Sequence, residues 1–166
     1  MQKPKLVAVD SNVLILLAQK DDLTVDAWDT IRSRIKPVQF IVTPTVIQEL
    51  TYKALYDPEL REAAGTALRE MRSRWQCHPA LLNAIQAILV PRSAGRIREI
   101  GLLPEEEKHD AAVLAEAAAL DCALLITYDA DLRDIDFEGL TLLLRELDLA
   151  APVIATPTEV VHKFFH

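Results

Sequence analysis

The sequence predicts an α/β fold in which a parallel sheet is covered by helices on both sides. Short apolar runs rich in Val and Ile alternate along the chain with longer segments of helical periodicity. The apolar runs are nearly continuous, as in strands that are buried on both faces, and do not show the alternation of a half-exposed strand. With 166 residues, of which 51% are hydrophobic, the chain is long enough for one domain with a sizeable core.

Five apolar runs are predicted to be strands and five longer segments to be helices. The predicted strands span 5–9, 38–43, 87–90, 123–127 and 140–144. The predicted helices span 12–19, 25–35, 45–56, 59–75 and 105–120. A short closing helix is also predicted, because Thr156 and Glu159 have the spacing of a capping box and Pro157 stands at the first helical position.

Composition argues against several classes of protein. A formal charge of −7 is unfavourable for a protein that coats nucleic acid without regard to sequence. The four glycines form neither GxGxxG nor GxxxxGK[ST], so dinucleotide-binding and P-loop functions are not indicated. Cys77 and Cys122 lack the spacing of metal ligands and are expected to be buried, reduced thiols. Without a secretion signal or a membrane span of about 20 apolar residues, we expect a soluble, cytoplasmic protein.

An aspartate lies between the first predicted strand and the first predicted helix, in the segment LVAVDSNVLILL. Asp10 stands at the carboxyl end of the strand, within a run that otherwise resembles a core. A buried carboxylate is costly unless it is paired, protonated or bound to a metal ion. Asp10 therefore needs a partner.

Three further acids occupy comparable places. Asp129 follows the predicted strand at 123–127, and Glu49 lies one turn into the helix that follows the strand at 38–43. Asp110 shares a helix face with apolar residues at positions 113, 114 and 117, where a charge is unexpected. In an open parallel sheet the ligand site lies beyond the carboxyl ends of the strands, so these acids can converge there.

A cluster of carboxylates favours a hard divalent cation. Like charges in close contact raise one another's pKa, and a cation offsets this repulsion. Ligands that are all oxygen, with no set of imidazoles or thiolates, favour Mg²⁺ or Mn²⁺ over zinc. Such an ion can polarise a phosphodiester and lower the pKa of an attacking water.

Each acid taken alone also has an ordinary structural explanation. Asp10 or Ser11 could cap the helix that follows, and Glu49 lies in the first turns of a helix, where negative charge is favourable. Asp129, Asp131 and Asp134 could be turn or capping residues. Asp110 has the weakest ordinary explanation, because it is predicted to face the core of an alanine-rich helix. The combined pattern, and not any single residue, indicates a site.

Four pieces of the chain together resemble the PIN-domain family, named after the PilT N-terminus, and in particular the VapC-type toxins. These pieces are VAVDSNVLI, VIQEL, HDAAVLAEAAAL and LLITYDADL, and the closing VIATPTEVVHKF is similar to the end of longer members. The pieces occur in the family's order and together span nearly the whole chain, so we expect one PIN-like domain at 1–166. The segment from 52 to 87 is longer than in compact members and allows a helical insertion there.

The resemblance implies a three-layer α/β/α sandwich with a parallel sheet of about five strands and a Mg²⁺- or Mn²⁺-dependent ribonuclease activity. The acidic quartet carried over is Asp10, Glu49, Asp110 and Asp129, with Asp131 as a weaker further metal ligand. Asn12 and Thr127 match polar residues that orient neighbouring carboxylates; a helix cap and an ordinary strand threonine are their alternatives. The family also implies an RNA substrate, an antitoxin protein as partner, and a homodimer.

Arginines between the predicted strands and helices are candidates for contacts to RNA phosphates. Arg92, Arg96 and Arg98 lie in VPRSAGRIREI. Pairing with the many nearby glutamates is the alternative explanation for these exposed side chains.

Three other functional classes share single features with this pattern. A binding protein that keeps the fold without turnover, for instance to hold an antitoxin or nucleic acid, would carry the same elements, although retention of all four acids speaks against it. A haloacid-dehalogenase-like phosphatase would have a second aspartate two residues after the first, where this chain has Asn12. The acidic pair and late lysine of a response-regulator receiver are likewise not visible.

Overall fold

A five-stranded, entirely parallel sheet lies at the centre of the fold. The computed structural model describes residues 3–36 and 38–165. The strands are β1 (Lys5–Val9), β2 (Val38–Val42), β3 (Cys77–Pro79), β4 (Cys122–Ile126) and β5 (Val153–Ala155). Their spatial order is β3-β2-β1-β4-β5, and every neighbouring pair is parallel. The α/β class and the parallel sheet of five strands are confirmed.

Helices fill the connections between the strands. They are α1 (Ser11–Ala18), α2 (Asp22–Arg34), α3 (Pro44–Tyr56), α4 (Arg61–Glu70), α5 (Ala84–Glu99), α6 (Lys108–Ala119), α7 (Ala130–Arg133), α8 (Phe137–Glu146) and α9 (Pro157–Phe165). Helix α5 packs against α6, α3 against α4, and α2 against α9. Among the described residues, none of these helices combines the length and the apolar character that crossing a bilayer requires.

The strands show that helices cover both faces of the sheet. The last three residues of β1, β2 and β4 are all buried. Successive side chains of a strand point to opposite faces, so three buried in a row require cover on each side. The result is the expected α/β/α sandwich. Its largest fully buried side chains are Trp28, Leu14, Ile31, Leu50, Ile97, Leu103, Leu114, Leu125, Ile126, Leu132, Leu140 and Leu144.

Two predicted strands are wrong, because both segments are helical. Residues 87–90 lie inside α5, which begins at a capping box formed by Asn83 and Gln86. Residues 140–144 lie inside α8, where Leu140, Leu143 and Leu144 are buried at helical spacing. Short apolar runs have no period that separates a strand from the buried face of a helix, and leucine favours helices.

The two edge strands, β3 and β5, were not predicted from the sequence. Each has only three residues, and β3 contains Pro79, which is tolerated in a sheet only where no ladder bond is required. Such segments are too short to show a pattern. The missed strands and the misassigned helices balance in number, so the count of five strands was correct although two of its members were not.

Several smaller expectations can be compared with the structure. The closing helix and its capping box are confirmed, since Glu159 N–H donates to Thr156 Oγ1 at 3.1 Å and Thr156 N–H to Glu159 Oε2 at 3.4 Å. Both cysteines are buried free thiols, as expected. The segment at 52–87 contains the end of α3, all of α4, strand β3 and the start of α5. That it is an insertion relative to compact members of the family stays a prediction.

The strand order places a topological switch point between β1 and β4. The chain moves outward from β1 through β2 to β3, and then crosses back to β4 on the other side of β1. The connections therefore diverge at the carboxyl ends of β1 and β4 and leave a crevice there. Asp10 follows β1 directly, and Thr127 follows β4.

We expect the Leu125→Ala variant to lose about 2–5 kcal/mol of unfolding free energy. The substitution leaves a cavity in β4, which lies beside the central strand β1. Leu125 is fully buried and is paired in the sheet with Ala8 and Ile154. Urea denaturation measures the loss. The control, Leu142→Ala, removes the same group from a residue that is 56% exposed, and should change stability by less than about 0.5 kcal/mol. Equal losses would contradict the packing described here.

Candidate metal centre

Asp10 is held rigidly at the carboxyl end of β1. Its backbone N–H donates to the carbonyl of Ile126 at 2.9 Å, which extends the pairing of β1 with β4 by one residue. Its Oδ1 accepts a hydrogen bond from the N–H of Ser11 at 2.8 Å, so Asp10 caps α1. The residue is only 4% exposed. The sequence indicated a buried carboxylate at this position, and the structure has one.

The second oxygen of Asp10 belongs to a hydrogen-bond network that reaches β4. The Thr127 hydroxyl donates to Asp10 Oδ2 at 2.7 Å and accepts from Asn12 Nδ2 at 3.1 Å. Asn12 Nδ2 also lies 3.4 Å from Asp10 Oδ2, and Asn12 Oδ1 accepts from the N–H of Tyr128 at 3.0 Å. Because the Thr127 hydroxyl and the Asn12 amide are each engaged on their donor and acceptor sides, the Asp10 carboxylate has one defined orientation.

Asp129 is tied to the same network. Its backbone N–H donates to Thr127 Oγ1 at 3.0 Å, and its Oδ1 caps α7 by accepting from the N–H of Leu132 at 3.1 Å. The side chain is half-buried. Thr127 is therefore the common neighbour of Asp10 and Asp129, which are far apart in the sequence.

Electrostatics show that Asp10 has other carboxylates beside it. Burial raises the pKa of Asp10 to about 6, against the lowering effect of the hydrogen bonds from Thr127 and Ser11. The negative charges of Glu49 and Asp129 raise this pKa further.

Asp110 shows the same effect more strongly. Burial raises the pKa of its carboxyl group to about 8, and the charge of Asp129, a hydrogen bond with Glu107 and the charge of Asp10 all add to the shift. The four acids predicted from sequence thus lie close enough to interact: Asp10 with Glu49 and Asp129, and Asp110 with Asp129 and Asp10. Carboxylates from the β1–α1 connection, α3, α6 and the β4–α7 connection therefore lie near one another at the carboxyl ends of β1 and β4.

Glu49 enters this crevice from α3. Its Oε1 accepts from Nζ of Lys53 at 3.0 Å, one turn along the helix, and both side chains are 26% exposed. The pair lies at the rim of the site, where solvent screens it. Lys53 is the cation that the structure places next to the quartet.

Another buried acid, Glu116, fixes the helix that carries Glu49. Its two carboxylate oxygens accept from the N–H of Thr45 at 3.1 Å and from the Thr45 hydroxyl at 2.9 Å. Thr43, the N-cap of α3, makes no capping bond with its side chain, so Glu116 of α6 supplies the acceptor at this helix end. Glu49 follows Thr45 by four residues and lies on the same face of α3. Helix α6 thereby orients Glu49 as well as carrying Asp110.

Glu107 and Asp131 extend the acidic cluster on the solvent side. One carboxylate oxygen from each of Glu107, Asp110 and Asp131 lies within 4.8 Å of the other two, close enough for one cation to bind all three. Asp131 is exposed and the other two are half-buried. The sequence analysis considered Asp131 only as a weaker ligand and missed Glu107, although its place three residues before Asp110 could have indicated it.

The ordinary explanations for Asp10 and Asp129 are also correct, since both residues cap helices. A carboxylate has two oxygens, and the cap occupies only one of them in each case. Asp110 has an ordinary explanation that the sequence analysis overlooked. Helix α6 begins at Lys108 and not at 105, so Asp110 lies in its first turn, where negative charge is favourable.

The arginines of α5 lie apart from this network, and two are engaged elsewhere. Arg96 pairs with Glu99 at 3.4 Å, and Arg98 donates to the carbonyl of Glu105 at 3.1 Å. Arg92 is exposed. Their role as RNA contacts stays a prediction, and the ion pair of Arg96 matches the alternative explanation.

Solved structures share the fold of this chain. A chain of VapBC2 from Rickettsia felis, in a structure bound to a DNA fragment from the promoter, is 14% identical with a TM-score of 0.60 and covers 79% of this chain and 93% of its own length. VapBC-1 from nontypeable Haemophilus influenzae is 13% identical with a TM-score of 0.60, over 92% and 98% of the two chains. No protein-family model and no curated protein matches the sequence. The chain has the VapC-type PIN fold, which confirms the resemblance at the level of fold.

We expect the protein without divalent ions to become less stable as the pH rises from about 4 to about 8. The pKa values of Asp10 and Asp110 are raised on folding, so in this range the folded chain binds more protons than the unfolded chain. Thermal melting in EDTA measures the slope, and Asp10→Asn with Asp110→Asn should flatten it. Glu138→Gln, at an exposed position on α8, should leave the slope unchanged. A double variant with the wild-type slope would show that the two acids do not repel their neighbours.

We expect Glu116→Ala to destabilise the protein by about 1–3 kcal/mol, because it leaves the half-buried N–H and hydroxyl of Thr45 without their acceptor. Glu116→Gln keeps one acceptor oxygen and should lose less. Chemical denaturation compares both with Glu62→Ala, at an exposed position on α4. Identical effects at positions 116 and 62 would mean that Glu116 does not anchor α3.

Proposed function

We propose that this protein is a ribonuclease that hydrolyses RNA phosphodiester bonds with Mg²⁺ or Mn²⁺, as the toxin of a toxin–antitoxin pair. One observation carries the proposal: Asp10, Glu49, Asp110 and Asp129 meet at the switch point of the sheet, and two of them have strongly raised pKa values. A protein gains no stability from gathering charges of one sign, so the arrangement favours a ligand of opposite charge.

The residues of the crevice fit a hard divalent cation. All the available donors are carboxylate or hydroxyl oxygens, and the grouping of Glu107, Asp110 and Asp131 has the spacing of ligands around one ion. Asp10, Asp110 and Asp129 would hold the ion, with Glu49 at the rim and Asp131 and Glu107 on the solvent side. A bound Mg²⁺ or Mn²⁺ supplies charge for the phosphodiester and lowers the pKa of the attacking water.

The other polar residues position these groups. Thr127 and Asn12 hold one oxygen of Asp10 in place through hydrogen bonds, which leaves little freedom to lose when a substrate binds. Glu49 would accept the proton of the attacking water, and Lys53 Nζ donates to Glu49 Oε1 at 3.0 Å, which holds the carboxylate in place. Hydrolysis of this kind forms no covalent bond between enzyme and RNA.

The antitoxin partner is proposed from the neighbours, whose names are those of VapBC pairs. An antitoxin that blocks this site would present basic groups to the acidic crevice. The RNA substrate, with Arg92, Arg96 and Arg98 as phosphate contacts, the homodimer and the cytoplasmic location are proposed on the same resemblance.

We expect purified protein to cleave RNA in Mg²⁺ or Mn²⁺ and to stop on addition of EDTA. The variant with Asp10→Asn and Asp110→Asn should lose about a thousandfold or more of this activity, as happens when groups that act together are removed. Gel analysis of cleavage of transfer, ribosomal and single-stranded RNA measures the rates. At about pH 8 this variant should melt no lower than the wild type in EDTA, so unfolding would not explain its inactivity.

A matched control removes two exposed acids of α8, by Glu138→Gln and Glu146→Gln, for the same change in net charge. It should keep wild-type activity. Cleavage that survives the double change at positions 10 and 110, or that is indifferent to EDTA, would overturn the proposal. A wild type that cuts none of the RNAs but binds a VapB-like antitoxin would favour the fold acting as a silent binding protein.

A further inference from the structure

A second polar cleft, unrelated to the acidic crevice, lies at the opposite end of the sheet. It has a volume of about 660 Å³ and is bounded by the residue before β1, the end of α2, the amino-terminal halves of β2 and β3, and the turn before β3. Its lining residues are Pro4, Arg32, Ile35, Lys36, Val38, Gln39, Phe40, Arg72, Ser73, Gln76 and His78. A five-residue strand separates the two sites by roughly 15 Å.

The charge of this cleft, which we call the basic cleft, is the reverse of the charge of the whole chain. Arg32, Lys36 and Arg72 line it and no Asp or Glu does, although the chain has 25 acids and only 18 Lys and Arg residues. One acid, Asp29, lines an adjoining groove together with Arg32 and Lys36. An excess of cations at one concave place in an acidic protein needs an explanation of its own.

The cations of the basic cleft are largely unused by the fold. Within residues 3–36 and 38–165, Lys36 and Arg72 form no ion pair, and both are exposed. Arg32 donates one hydrogen bond, from Nη1 to the carbonyl of Arg74 at 3.0 Å, which holds its guanidinium beside the turn. Cations that lie close together without counter-charges repel one another, and a bound anion would relieve the repulsion.

The other residues that line the cleft favour a nucleotide over a simple anion as its ligand. Ile35, Val38 and Phe40 give the cleft an apolar side, while Gln39 and Gln76 offer amides that can both donate and accept. The volume is that of a pocket for a compact ligand, with an apolar surface and a few polar groups that fix its orientation. A nucleotide has both requirements, a flat base and a phosphate that matches guanidinium groups.

We propose that the basic cleft binds the phosphate of a nucleotide, through Arg32, Lys36 and Arg72, with the base against its apolar side. The ligand is either a free nucleotide or one nucleotide of an RNA strand, since the two share this chemistry. The proposal does not depend on the nuclease function, because the cleft contains none of the acidic quartet and binding needs neither a divalent ion nor cleavage.

Binding is tested in EDTA with the full chain and four probes: adenosine diphosphate, adenosine, inorganic phosphate and a short single-stranded polyadenylate. We expect adenosine diphosphate or the polyadenylate to bind more tightly than adenosine or phosphate alone, and binding to weaken as salt increases. Lys36→Gln with Arg72→Gln should weaken binding at least about tenfold, since each lost charge-assisted contact weakens binding severalfold. Isothermal titration calorimetry measures the binding of the three small probes, and fluorescence anisotropy measures the binding of the polyadenylate.

The control variant combines Arg61→Gln and Arg145→Gln, which remove the same charge at exposed positions on α4 and α8, and it should bind within about twofold of wild type. Tight adenosine diphosphate binding identifies a free nucleotide as the ligand, and binding of the polyadenylate alone identifies an RNA strand. Equal weakening by both pairs, binding of adenosine as tight as its diphosphate, or preference for a polyglutamate peptide would each overturn the proposal.

The outcome is separate from that of the nuclease proposal. The variant with Asp10→Asn and Asp110→Asn should bind these probes as the wild type does in EDTA, even though we expect it to be inactive towards RNA. Loss of probe binding in this variant, with binding intact after the changes at positions 36 and 72, would place the nucleotide in the acidic crevice and overturn the inference.

Discussion

The mutual repulsion of buried carboxylates at the carboxyl ends of β1 and β4 is the constraint around which this site is organised. Asp10 is 4% exposed and lies beside two other acids, a position that an ionised side chain avoids unless something offsets the cost. Hydrogen bonds from Ser11 and Thr127 offset part of it, and the raised pKa shows that a part remains. The remaining cost is what makes a divalent cation a natural ligand of this crevice.

Hydrogen bonds also hold the Asp10 carboxylate in one orientation. The Thr127 hydroxyl bonds to Asp10, to Asn12 and to the backbone of Asp129, so it connects the segments that follow β1 and β4, which are 115 to 117 positions apart in the sequence. Glu116 performs a comparable task between α6 and α3. Both arrangements hold an acid or its helix in place through hydrogen bonds between segments that are distant in the sequence. A site held in this way keeps its geometry while its protonation changes.

The two polar sites divide the molecule by charge. The acids gather at the carboxyl ends of the central strands, while Arg32, Lys36 and Arg72 line the cleft at the amino ends of β2 and β3. A net charge of −7 describes neither place, since it averages a strongly negative crevice with a positive cleft. Arguments from net charge therefore apply to the long-range attraction of a partner, and local lining decides what each site binds.

The sequence by itself predicted the layer architecture and four acids that could converge, Asp10, Glu49, Asp110 and Asp129. Continuous apolar strands, helical periodicity and an acid directly after a strand are local signals, and Asp10 and Asp129 could be read from them. The tertiary structure alone decided that 87–90 and 140–144 are helical, that 77–79 and 153–155 are the edge strands, and that Glu107 and Glu116 join the site. Those features depend on pairing and packing between distant segments. A three-residue strand is too short to show a pattern, and the neighbours of an acid in an alanine-rich helix do not reveal its distant partners.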